Sequence, residues 1–190
     1  TPDPQVKQRA VAALGRVTAD LADTDREAAR EVVRRLMWIL NEESGSSGWG
    51  APEALAEILA HHGGLAQEYT GILVSYMRED GNYLENIPLQ RELLQGVGRL
   101  AGARRGLLLE RDADRFLAPY LASGDAEVRG RAAWCAGRLC VRSARETLQR
   151  LLQDEAEVLL HGVHGTTRSR VQDLAAQALE RIDAGPPYRT

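Results

Sequence analysis

Residues Asp125 to Cys140 read DAEVRGRAAWCAGRLC, and the reading of this stretch decides the fold. Asp125 follows Ser123-Gly124, a break signal, and its carboxylate can accept hydrogen bonds from the first free N–H groups of a helix. Val128, Ala132, Ala136 and Leu139 then recur at helical spacing and form one apolar face. Ala133, Cys135 and Cys140 widen that face, which predicts a helix contacted on two sides. The small side chains of Ala132, Ala133 and Ala136 allow a neighbouring helix to come close.

Laid against itself, the chain shows the same register elsewhere. Val128-Arg129-Gly130-Arg131-Ala132 closes on Gly137-Arg138-Leu139, and Val6-Lys7-Gln8-Arg9-Ala10 closes in the same way on Gly15-Arg16-Val17. Leu89 to Leu100 ends on Gly98-Arg99-Leu100, and Val171 to Ile182 ends on Glu180-Arg181-Ile182. A weaker copy runs from Ala51 to His62. The copies start near residues 6, 51, 89, 128 and 171, a spacing of about 40. A period of that size marks a helical solenoid, in which each unit needs its neighbours to bury its apolar face.

On Asp125, Val128, Arg129, Ala132 and Leu139, with their echoes, the chain resembles the HEAT-repeat family, in particular the short variant named after the phycobilisome (bilin) lyases. The resemblance implies an all-α, right-handed α-α superhelix of four to five repeats, spanning residues 1–190 as one domain. It is specific for fold and unspecific for activity. HEAT-like proteins are mostly interaction scaffolds, while a few are bilin lyases or DNA-alkylation-repair glycosylases. No nucleophile–base arrangement of an enzyme can be placed on these residues, so a non-catalytic scaffold with a protein partner and no cofactor is the expectation.

Composition agrees. At 190 residues the chain can bury a good core, and no apolar run reaches membrane-spanning length. Cys135 and Cys140 stand five apart on one helix and so on different faces, which argues against a disulfide and for reduced thiols in a cytoplasmic protein. The net charge of −3 does not point to a dedicated nucleic-acid binder. The charge is uneven, however: residues 99–150 carry 11 basic and 6 acidic side chains, or +5. That middle segment reads either as solvated faces and inter-repeat pairs or as a surface for an acidic partner.

Five places break the plain repeat pattern. The stretch Asn41 to Glu53, NEESGSSGWGAPE, is long, glycine-rich and acidic for a helix–helix turn. It reads either as a spacer or as the rim of a binding surface built from Asn41, Glu42, Glu43, Trp49 and Glu53. Glu53, Glu57 and His61 recur every four residues, a spacing at which oxygen and imidazole donors could converge on a metal. Solvated or hydrogen-bonded side chains are the preferred reading there. Gly102 to Arg105 reads as a basic loop. Trp134 falls opposite Val128 and Leu139, as an aromatic on a concave face or, preferably, as a contact with the adjoining helix. Finally, Glu157 to Arg170 combines a β-branched apolar run, a glycine-bounded turn and a threonine-rich run, which predicts a small β-hairpin with His161 and His164 near its tip. Those two histidines are a second, weaker metal candidate. Self-association is a further expectation, because solenoids with apolar end faces can pair end to end.

Overall fold

The computed structural model describes residues 3–41, 50–162 and 165–185. The candidates Glu42, Glu43, Trp49 and His164 lie outside the described residues.

Five helices carry the repeated register: α1 (Pro4–Thr24), α3 (Ala51–His61), α5 (Ile87–Glu110), α7 (Ala126–Leu139) and α9 (Val171–Ala184). Each packs on the next, forming one inner layer. Between them run α2 (Arg26–Asn41), α4 (Gly63–Ser75) and the short α6 (Ala118–Leu121) and α8 (Arg145–Leu151), which cover the outer side. The result is an α-solenoid with a continuous core of Leu, Ala, Val and Ile side chains running from α1 to α9. Among the described residues, no helix is long and apolar enough to cross a membrane.

The local chemistry of the opening stretch is as its residues dictate. The Asp125 carboxylate accepts from the Val128 N–H at 3.0 Å and so caps α7. It is also gripped by Arg91 of α5, which holds its pKa below the usual carboxylate range. Arg129 donates to Asp154 at 2.8 Å and to the Ser123 carbonyl at 2.9 Å, tying the start of α7 to the segment after α8. Cys135 is wholly buried beside the Leu94 carbonyl; burial pushes its thiol up to about 12, and both cysteines are free.

The glycine that precedes the repeated arginine has a packing reason. A β-carbon on Gly15 would run into Glu57 of α3, one on Gly98 into the Trp134 ring of α7, and one on Gly137 into the Ala178 backbone of α9. These glycines let successive inner helices approach closely. Gly71 is the opposite case. It lies exposed in α4 with nothing within 4 Å of a built β-carbon, so it adds unfolded-state freedom without a native contact to justify it. Gly71→Ala is expected to stabilise the fold by about 0.5–1 kcal/mol, read as a higher urea midpoint with an unchanged slope.

One expectation is corrected. Gly102 to Arg105 is no loop: α5 runs on to Glu110, bent at Arg104 (φ −142°, ψ 48°). The bend is stabilised from outside the helix, because Arg104 Nε donates to the Leu59 carbonyl at 2.8 Å and Arg105 reaches the Leu139 carbonyl at the end of α7. After Asp112 the chain forms a 3₁₀ turn (Ala113–Phe116) and then the four-residue α6.

The hairpin is present where expected. Strands β1 (Glu157–Gly162) and β2 (Gly165–Arg170) pair antiparallel, with Val158 opposite Ser169 and Leu160 opposite Thr167. A lone two-stranded hairpin is marginal in water, so this one depends on what it rests upon. Val158 is fully buried against Gly130, where any β-carbon would collide with its methyl group.

Candidate functional site

The hairpin lies across the inner face of the solenoid, and helix side chains hold it by its main chain. Leu159 and His161 turn their backbone groups away from β2 and toward the helices. The Leu159 N–H donates to Glu127 Oε1 at 3.0 Å, and its carbonyl accepts from Arg131 Nη2 at 2.9 Å. Two residues on, the His161 carbonyl accepts from Gln95 Nε2 at 2.6 Å, and its N–H faces Gln95 Oε1 at 3.3 Å. A Glu–Arg pair on α7 and an amide on α5 thus each offer one donor and one acceptor to alternate residues of an extended strand. Arg131, only 5% exposed, also donates to the Arg91 carbonyl at 2.8 Å, so one guanidinium joins α5, α7 and β1.

Two clefts flank the hairpin. The first, of about 520 Å³, lies between β1 and the first turns of α1, α3, α5 and α7. Its floor is a buried ionic cluster that cross-links α1, α3 and α5. Lys7 donates to Glu53 at 3.3 Å and to Glu92; Gln8 donates to Glu53 at 2.5 Å; and the Gly50 N–H donates to Glu92 at 2.6 Å. Burial raises the Glu92 pKa, against the opposing pull of Lys7. Leu159, Pro4 and Pro88 give the cleft an apolar wall, and Leu159 is 38% exposed.

The second cleft, of about 630 Å³, lies between β2 and the last turns of α3, α5 and α7. Glu57, His61, Arg99, Trp134 and Arg138 line its helical side, and Thr166 and Thr167 its strand side. Glu57 is buried and engaged by Arg99, with His61 Nε2 at 3.6 Å.

The sequence candidates therefore scatter over three places. Glu53 sits at the bottom of the first cleft rather than at a rim, 2% exposed, with both carboxylate oxygens accepting hydrogen bonds from α1. Glu57, His61 and Trp134 meet in the second cleft, and His161 lines both. Asn41 is exposed at the end of α2 and lines neither. Trp134 packs against Gly98 of the adjoining α5, the preferred reading of that residue. As metal ligands, the described candidates do not converge on one position. Glu53 and Glu57 point to different clefts and to cationic partners, and His161 Nδ1 lies 3.0 Å from Thr166 Oγ1. Sequence reading passed over Gln95, Glu127 and Arg131, which hold the strand.

His161 couples the hairpin to pH. Burial, and then the Arg131 cation, depress its pKa below 6.5. As pH falls, the unfolded chain therefore takes up the proton first, so stability present above pH 6.5 is lost as pH falls through the depressed folded value. Stability of wild type in urea is expected to fall, relative to His161→Gln, which lacks this linkage, as pH drops below about 7. Parallel pH profiles for the two proteins would contradict it.

No family model matches this chain, and no curated protein matches it. Solved structures do. Two crystallised engineered proteins are each 21% identical to it; the alignments cover 97% of this chain and 76% and 78% of theirs, with TM-scores of 0.62 and 0.64. A designed armadillo repeat protein is 19% identical over 98% of this chain and 79% of its own, with a TM-score of 0.62. At this level of identity the likeness shows the fold, an armadillo-like helical-repeat solenoid.

Proposed function

We propose that this solenoid is a non-catalytic interaction scaffold that takes an extended segment of a protein partner along its inner face. We take its repeats to be of the short HEAT type, on the spacing of about 40 residues and the repeated Gly-Arg pair. The supporting observation is that the inner face already holds one extended strand, its own β1, through main-chain groups two residues apart. Recognition of main chain by donor–acceptor pairs gives affinity for any extended segment, and pockets beside it supply side-chain preference. The first cleft continues that face toward α1 and α3, with Leu159 and Pro88 as its apolar wall.

The test is a peptide-display selection on the folded protein, repeated on Leu159→Glu, a change at a partly exposed position on the cleft wall. The reading requires enriched peptides that share a sequence register and bind the variant at least about tenfold more weakly. Absence of enrichment over the naive library, or equal binding to the variant, refutes it.

Self-association is a second reading with an observation of its own. Helix α1, the first of the described inner helices, leaves Val6, Leu14 and Val17 exposed at 57%, 37% and 63%. A concentration-dependent mass in sedimentation that Val17→Asp abolishes would support it; a monomer at all concentrations would reject it.

A further inference from the structure

The second cleft contains a cation without a counter-charge. The Arg138 guanidinium lies 4.7 Å from the centroid of the Trp134 ring, pressed so closely on Gly102 of α5 that a β-carbon there would meet Nη1. Its Nε is buried with no hydrogen-bond partner, and among the described residues no carboxylate pairs with it. The neighbouring charges repel it: burial first, then the Arg181 and Arg99 cations, lower its pKa. Among the described lining residues the cleft's carboxylate is Glu57, which pairs with Arg99 through Oε1 while its buried Oε2 has no hydrogen-bond partner. A partly desolvated guanidinium that faces other cations costs free energy, which an anion at the site would offset.

The rest of the cleft adds further donors. Arg99, Arg138 and His61 lie on the helical wall, and Thr166 and Thr167 line the strand side, where the Thr166 hydroxyl is 3.0 Å from His161 Nδ1. Guanidinium forks match carboxylate and phosphate oxygens in geometry, and threonine hydroxyls donate to the oxygens that remain. The volume of about 630 Å³ lies within the range of small-molecule sites, so an anionic group attached to a larger body can enter. The same arginine position recurs along the inner layer as Arg16, Arg99, Arg138 and Arg181, and at Arg138 a buried, unpartnered Nε and an aromatic neighbour coincide.

We infer that the cleft between β2 and the last turns of α3, α5 and α7 is an oxyanion-binding site, with Arg138 as its anchor and Arg99, His61 and Thr167 as partners. The ligand class is a phosphate or carboxylate group.

The probes are inorganic phosphate and acetate, each titrated against chloride at matched ionic strength and constant pH, on wild type, Arg138→Gln and Thr167→Val. Thermal midpoints give the affinity through linkage, and the Nε–Hε resonance of Arg138 reports the site directly. Saturable stabilisation of wild type is expected with Kd below about 10 mM, weakened at least tenfold in Arg138→Gln and severalfold in Thr167→Val. Arg138→Gln should itself fold at least as well as wild type in chloride, since it removes an unpaired cation. A response to phosphate alone assigns a phosphoryl group; an equal response to acetate assigns a carboxylate. Stabilisation that does not saturate, or that is the same in Arg138→Gln, is a general salt effect and overturns the proposal. Should Arg138→Gln not fold, the Arg138 Nε–Hε resonance of wild type decides: no shift with either anion overturns it.

Discussion

Arg131→Ala is expected to lower the free energy of unfolding by about 3–5 kcal/mol, the cost of removing one member of a buried ion pair. The side chain is 6% exposed and spends its donors on three acceptors: the Arg91 carbonyl at 2.8 Å, Glu127 at 2.5 Å and the Leu159 carbonyl at 2.9 Å. Truncation leaves all three short of a donor at the junction of two inner helices and a strand, and it removes the methylene stem as well. Arg131→Lys keeps the charge but cannot reach three acceptors from one planar fork, so an intermediate loss is expected. Glu127→Gln should be milder, because a glutamine oxygen still accepts the Leu159 N–H. Chemical denaturation gives the order directly. Hydrogen exchange should show β1 losing protection in Arg131→Ala before α5 and α7 do. A loss under about 1 kcal/mol would mean that water replaces Arg131 without penalty, and that Val158, Gln95 and Glu127 hold the hairpin without it.

The architecture was legible because the solenoid states its packing rule locally and repeats it. A small residue one position before the arginine marks where the next inner helix passes, and three copies of that glycine meet a side chain or backbone of the following helix. The hairpin was legible too, since a glycine-bounded turn between two extended runs is a local signal. The bend at Arg104 was not. A Gly-Ala-Arg-Arg run looks like a loop, and the helix continues only because Arg104 and Arg105 find carbonyls on α3 and α7. The site was the least legible part. Gln95 contacts His161 across 66 residues of sequence, and a single polar residue on an amphipathic helix looks like any solvated one. The one signal available was position: Gln95 and Arg131 interrupt stretches that are otherwise buried on both sides. Glu53 and Glu57 show the converse limit. Their spacing marks them as a set, for which hydrogen-bonded side chains are the preferred reading, but it does not reveal that neighbouring helices supply each with its own cation.

The same logic gives the second large effect, at Gly137. A β-carbon there would stand 2.7 Å from the Ala178 α-carbon and 3.0 Å from its β-carbon. The obstacle is backbone, not the far end of a flexible side chain, so α7 and α9 must separate for anything larger than hydrogen. Gly137→Ala is expected to cost about 1–3 kcal/mol, the usual range for overpacking, although alanine is the better helix former. Gly137→Val adds two methyl groups at the same point and should release α9, the last inner helix, from the stack. In a solenoid each unit is stabilised mainly by its neighbours, so that release need not unfold α1 to α5. Hydrogen exchange on Gly137→Val should therefore show α9 exchanging freely while α3 and α5 stay protected, with unfolding split into two steps. The hairpin sharpens the outcome, because β2 leads directly into α9 and β1 is pinned to α5 and α7. If β1 keeps its protection when α9 is lost, the strand is held by the inner face itself, as the scaffold reading requires. If β1 is lost with α9, its grip comes from the chain that follows, and that reading loses its support.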